Sequence, residues 1–255
     1  MLPSLFISHG SPMLALEPGA SGPALKALAA RLPRPLAVLV QSAHWESDEL
    51  LVSGASQPET WHDFHGFAPK LYEVQYPAAG ATQLAGEIVE HLQRSGLDSR
   101  LDTQRQRDHG AWVPLSLMYP DAAIPVLQIS LPSRRGAAFQ LQVGQALSAL
   151  RAEGVLLIGS GSITHNLGQL DWQAGPETVA PWAQAFRDWM VKQLAARDKQ
   201  ALLDYRTQAP FAVHSHPTEE HLLPLFFAMG AGDAVTLEHS GFTLGALGMD
   251  IYSFA

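Results

Sequence analysis

The sequence predicts an α/β fold: a single domain on a mostly parallel or mixed central sheet, with helices on both faces. Three observations carry this. Short, unbroken apolar runs end abruptly in turn residues, as strands buried on both faces do. Ala- and Leu-rich stretches with helical spacing lie between them, and strands alternating with helices build such sheets. No repeat, low-complexity tract or linker-like shift in composition divides the 255 residues, so 1–255 read as one domain.

Leu5-Phe6-Ile7 is the first apolar run, and it stops at Ser8-His9-Gly10-Ser11-Pro12. A helix is expected over 22–31. Leu36-Ala37-Val38-Leu39-Val40 repeats the strand pattern and closes in Gln41-Ser42-Ala43-His44. Leu84, Ile88 and Leu92 fall on one face of a helix over 82–94. Two more runs, 124–129 and Val155-Leu156-Leu157-Ile158, read as strands, the second ending in Gly159-Ser160-Gly161. Helices are expected over 138–150, 178–195 and 219–229, the last with Thr218 as its N-cap. In open α/β sheets, sites form outside the carboxyl ends of the strands. His9 and His44 closely follow predicted strand ends and His165 lies a short loop beyond a third, so the three should share one rim.

Composition removes several classes of function. With 16 Lys+Arg against 24 Asp+Glu, the net charge of −8 argues against nucleic acid or an anionic membrane as partner. There are no cysteines, which excludes disulfides, thiolate metal sites and a cysteine nucleophile together. Any metal must therefore be held by His, Asp or Glu. No basic n-region precedes the first apolar run and no run approaches the ~20 residues of a membrane helix, so cytoplasmic residence is the expectation.

A histidine taken alone is more often a surface or satisfied residue than a ligand. That bland reading fits His62, His65, His91, His214 and His239, with His91 expected in solvent on a charged helix. His214-Ser215-His216 is denser and is read as lining. His9, His44, His109 and His165 instead occupy compact loops of small or aromatic residues, where a ligand can approach the backbone. His221 lies in Pro217-Thr218-Glu219-Glu220-His221-Leu222. Imidazole is the commonest ligand for Zn, Fe and Cu, so these positions point to a non-thiolate metal site. Gly159-Ser160-Gly161 lacks the third glycine of a dinucleotide loop, and no nucleophile elbow or phosphate loop is present. Two rivals remain: a zinc-dependent hydrolase that activates water, and a non-catalytic binding module on the same fold.

Five motifs then occur in order: Ser8-His9-Gly10-Ser11-Pro12, Ser42-Ala43-His44-Trp45, Asp108-His109-Gly110-Ala111-Trp112, Thr164-His165-Asn166-Leu167 and Pro217-Thr218-Glu219-Glu220-His221-Leu222-Leu223-Pro224-Leu225. Over nearly the whole chain they resemble the class III extradiol ring-cleaving dioxygenases, in the branch related to DOPA extradiol dioxygenase. The resemblance implies a single catalytic domain that opens a catechol with O2 beside the hydroxyl pair, giving a semialdehyde. It implies Fe(II) for activity, with Zn(II) able to occupy the same pocket. By the same resemblance His9, His44 and His221 are the metal ligands, with Glu220 the alternative third. His165 is a fourth ligand or an acid/base residue, and His109, next to Asp108, faces the substrate. Trp45 and Trp112 are expected to wall the pocket. The partners implied are a small-molecule catechol and O2, with room for a homo-oligomer.

Overall fold

The computed structural model describes residues 1–175 and 177–255. In chain order the strands and helices are β1 (Ser4–Ser8), α1 (Ser21–Arg31), β2 (Ala37–Glu46), β3 (Leu50–Ser53), α2 (Thr82–Arg94), β4 (Ser99–Asp102), α3 (His109–Met118), β5 (Val126–Leu131), α4 (Gly136–Leu147) and β6 (Val155–Gly161). They continue as α5 (Pro181–Ala196), α6 (Lys199–Leu203), α7 (Tyr205–Gln208), α8 (Ala212–Ser215), α9 (Leu223–Ala231), β7 (Val235–His239), β8 (Phe242–Thr243), β9 (Leu247–Gly248) and β10 (Ile251–Phe254). Eight strands form one mixed sheet in the order β4-β3-β5-β2-β6-β1-β10-β7. Its centre, β5-β2-β6-β1, is parallel, while β3 meets β5, and β10 meets β1 and β7, antiparallel. Among the described residues no helix is long and apolar enough to cross a membrane.

The unbroken apolar runs make sense once both faces are traced. Successive strand side chains point to opposite faces. Leu5, Ile7, Val38, Val40, Leu156 and Ile158 pack into a core with Leu25 and Leu28 of α1 and Trp112 of α3. Leu39, Ile129 and Leu157 face the other way, onto Ile88, Val143, Leu147 and Phe227. Phe6 joins a third cluster with Phe186, Met190 and Phe226. A Leu or Phe fully buried in this way stabilises the fold by roughly 1.5–3 kcal/mol.

Several element ends differ from the sequence reading, each for a local reason. β2 starts one residue late, leaving Leu36 exposed, and then runs on to Glu46, so His44 is a strand residue and not a loop residue. β6 likewise carries Gly159-Ser160-Gly161 inside the strand. The last predicted helix begins at Leu223, because Pro224 fits a first turn, and Thr218 is not its cap. α3 went unpredicted because Pro114 sits inside it and Gly110 near its start.

Glycines let the helical layer close. A Cβ on Gly144 of α4 would lie 2.0 Å from the Phe227 carbonyl oxygen, and one on Gly230 of α9 would lie 2.1 Å from that of Leu141. The two helices thus meet backbone to backbone. Gly144→Ala is expected to destabilise the protein by about 1–3 kcal/mol through overpacking. Gly86→Ala, in α2 with open space around it, should be neutral or slightly stabilising. Thermal melting of the two variants beside the parent checks the contrast.

Candidate metal centre

Three adjacent strands bring the predicted residues together. His9 leaves the end of β1 with its backbone N–H bonded to the Gly161 carbonyl of β6 at 3.0 Å. His44 lies near the carboxyl end of β2, on the other side of β6. His221 precedes α9, whose approach to β6 needs glycine: a Cβ on Gly161 would stand 2.0 Å from the His221 carbonyl oxygen. Nitrogen atoms of His9, His44 and His221 all lie within 4.8 Å of one another. His165 falls in a different group, with Glu220 and His221, and its ring stacks on His221 at 3.4 Å between centroids and 10° between planes. His109 lies against His44, centroids 3.9 Å apart.

Partners fix which nitrogen of each ring is free. Ser160 Oγ donates its single hydrogen to the Gly110 carbonyl at 2.5 Å, and so accepts from His9 Nδ1 at 2.9 Å. His9 therefore presents a bare Nε2. The Gly110 carbonyl is available because Pro114, four residues on, has no N–H to give it. His221 Nδ1 donates to Glu220 Oε1 at 2.8 Å, which again leaves Nε2 bare. Glu220 orients the His221 ring next to it.

The bare Nε2 of His9 stands 3.0 Å from Nε2 of His44. A neutral hydrogen bond from His44 Nε2 to the bare nitrogen of His9 spans that distance, and a cation in place of its hydrogen would be within reach of His221 as well. Nitrogens each ~2.1 Å from a shared ion lie roughly 3.0 Å apart at a right angle. The donor set fits a divalent cation of the kind imidazole binds. Burial first, and then neighbouring histidines, hold His9 and His221 far below the ordinary histidine range. The same causes bring His44 and His165 to about 4. All four are uncharged near neutrality, as ligation requires.

The surroundings depart from the sequence reading in several places. His109 is not paired with its neighbour Asp108. Its Nδ1 donates to Asp63 Oδ1 at 3.0 Å, and its backbone N–H donates to the same oxygen at 2.9 Å. Burial works against the Asp63 carboxylate, but the hydrogen bonds and charge of His109 outweigh it and hold its pKa low. Asp108 is fully buried and accepts instead from Ser42 Oγ at 2.7 Å, Gln128 Nε2 at 2.6 Å and Arg105. The Arg105 guanidinium is sandwiched between Trp45 and Trp61, so Trp45 is packing behind the site. Trp112 is core as well, donating from Nε1 to the Trp61 carbonyl. The aromatic ring beside His109 is Phe64, 5.6 Å away. His91 is only partly in solvent and donates to the Ala146 carbonyl at 2.6 Å. His216 is buried, its Nε2 on the Ile163 carbonyl. Asp63 and Phe64 went unnoticed because the loop Trp61-His62-Asp63-Phe64-His65 has no ligand spacing; its density of ring and carboxylate groups was the only signal.

Residues 3–255 match the family model described as the catalytic LigB subunit of aromatic ring-opening dioxygenase. The chain is 41% identical to a 4,5-DOPA dioxygenase extradiol of Beta vulgaris, covering 98% of this chain and 96% of that protein. It is 38% identical to the protein of the same name from Escherichia coli K12, covering 97% and 93%. A crystal structure of an uncharacterized protein of Escherichia coli K12 superposes with a TM-score of 0.84 at 34% identity, covering all of both chains.

Buried neutral histidines have a consequence for stability. In the unfolded chain each takes up a proton near pH 6.5. Folded, His44 and His165 do so only at about 4 and His216 at about 3. The unfolded state thus binds more protons between these limits, and stability falls as pH drops through 6.5 toward 4. The chelated protein should melt at lower temperature at pH 5 than at pH 7.5. A melting temperature that stays level over this range would contradict the neutral, buried cluster.

Proposed function

Because this chain belongs to the family of the catalytic LigB subunit of aromatic ring-opening dioxygenase, we propose that it opens a catechol carrying a DOPA-like side chain, using Fe(II) and O2. The enzyme is an extradiol, aromatic ring-opening dioxygenase, an oxidoreductase. The zinc-dependent hydrolase that the ligand types alone allowed is set aside, since family and curated relatives are dioxygenases. The name shared by the Beta vulgaris and Escherichia coli relatives supports the DOPA-like substrate. We also propose that 1–255 act as one catalytic domain and reside in the cytoplasm, a reading the lack of cysteine suits.

The observation that carries the site is the facing pair of His9 and His44 nitrogens at 3.0 Å with His221 beside them. In our reading these three hold the ion from one side, and the opposite side is left to substrate and O2. Fe(II) there would supply the redox centre that lets catechol and O2 react. His165 belongs to the acid/base role rather than the ligand set, because its nitrogens fall outside the His9, His44, His221 group. It is uncharged and half-buried, so it can take a proton from a substrate hydroxyl and, since desolvation disfavours its charged form, return it readily. His109, against His44, serves the second hydroxyl or the oxygen side. Phe64 offers its ring as a wall for the aromatic substrate.

The experiment is anaerobic reconstitution with Fe(II), a panel of catechols, and O2 uptake read beside the yellow semialdehyde product. The parent should bind one iron per chain and consume O2 with DOPA-like catechols. His44→Ala should lose the metal by elemental analysis. His109→Gln and His165→Gln should keep it and turn over ~10²–10⁴-fold more slowly. Iron-loaded parent protein that leaves every catechol intact would overturn the substrate reading, and loss of iron from His165→Gln would make it a ligand.

A further inference from the structure

We propose that Asp63 is a positioning residue for ring opening: it holds His109 with the proton on Nδ1, so that the bare Nε2 is the atom offered to the substrate. The proposal rests on the acid/base reading of His109 above. Asp63 lies in the long, mostly irregular stretch 54–81 between β3 and α2, outside the strands that bring in His9 and His44. Its Oδ1 takes two hydrogen bonds from one residue, from the backbone N–H of His109 at 2.9 Å and from Nδ1 at 3.0 Å. An ionised carboxylate has no hydrogen to give, so Nδ1 must be the donor. In the neutral ring, the form that can accept a substrate proton, that settles the tautomer and leaves Nε2 bare.

The arrangement is stiff. His109 is the first residue of α3, so the carboxylate also sits at the positive end of a helix. The side chains of Asp63 and His109 are only 9% and 7% exposed, and hydrogen bonds in such surroundings are stronger than in water. The second oxygen, Oδ2, lies 4.0 Å from Nδ1 of His44, so one carboxylate borders both the acid/base residue and a ligand. The carboxylate next to His109 in sequence, Asp108, is already engaged by Ser42, Gln128 and Arg105. The next residue along, Phe64, packs on the His109 ring, so the same loop sets tautomer and wall together.

A carboxylate that merely capped α3 would leave the tautomer alone, and the test turns on that difference. Zinc-loaded protein labelled with 15N-histidine is compared with Asp63→Leu and Asp63→Asn, the His109 signals being identified by their loss in His109→Gln. The parent should show Nδ1 protonated. Asp63→Asn should keep that state, because the His109 backbone N–H, which can only donate, holds the amide oxygen toward the ring. Asp63→Leu should show a mixture of tautomers. With iron loaded, Asp63→Leu should lose about 10–100-fold in kcat at nearly unchanged KM and iron content, and Asp63→Asn should recover most of it. Nδ1 found unprotonated in the parent, or an unchanged tautomer in Asp63→Leu, would overturn the proposal, as would Asp63→Leu losing its metal. None of the spectra depends on turnover, so a tautomer result as expected with no catechol consumed would fault the substrate reading alone.

Discussion

Two imidazole nitrogens held 3.0 Å apart, His9 buried and His44 half-buried, form the constraint around which this molecule is arranged. Burial and the neighbouring rings keep both uncharged near neutrality, and the second nitrogen of His9 is engaged by Ser160. Strand order makes the pairing possible: with β6 between β1 and β2, the ends carrying His9 and His44 are two strand positions apart, and Ser160 of β6 meets His9. The glycines of β6 complete the cluster, since Gly159 and Gly161 let the chain around α9 come close enough to bring in His221.

A second buried system holds this rim in place. The carboxylate of Asp108, at the N-cap of α3, ties together Ser42 of β2, Gln128 of β5 and Arg105. Arg105 in turn bonds the His44 carbonyl at 3.1 Å. A buried ion pair seldom adds much net stability, because desolvation offsets the attraction, but removing one partner typically costs ~3–5 kcal/mol. Such a network contributes position more than stability. It ties the strand that carries His44 to the helix that carries His109.

The parallel core and the five key histidines were legible in the sequence for one reason: both are local. Leu5-Phe6-Ile7 and Val155-Leu156-Leu157-Ile158 reveal strands because each is buried on both faces, and His9, His44, His109, His165 and His221 each sit in a recognisable motif. What stayed hidden depends on partners distant in sequence. His109 is bonded to Asp63, 46 residues away, and not to Asp108 beside it. His91 has the marks of a solvated residue but meets a carbonyl of α4. The strands that flank the parallel core, β3, β4, β7 and β10, are short, and their pairing is decided by neighbours that a local pattern does not reveal.

The proline within α3 links helix and site in opposite senses. An ordinary residue at 114 would give the helix the hydrogen bond it lacks and would be the better helix former. The Gly110 carbonyl would then have a second donor competing with the Ser160 hydroxyl, which would be held there less firmly. A hydroxyl turned toward His9 would donate to Nδ1 and favour the ring proton on Nε2, the nitrogen that faces His44. Repairing the helix would blunt the site. The imperfection is thus a stored instruction, written in a residue some distance from the histidine cluster it shapes, and selection for a sounder helix would weaken it.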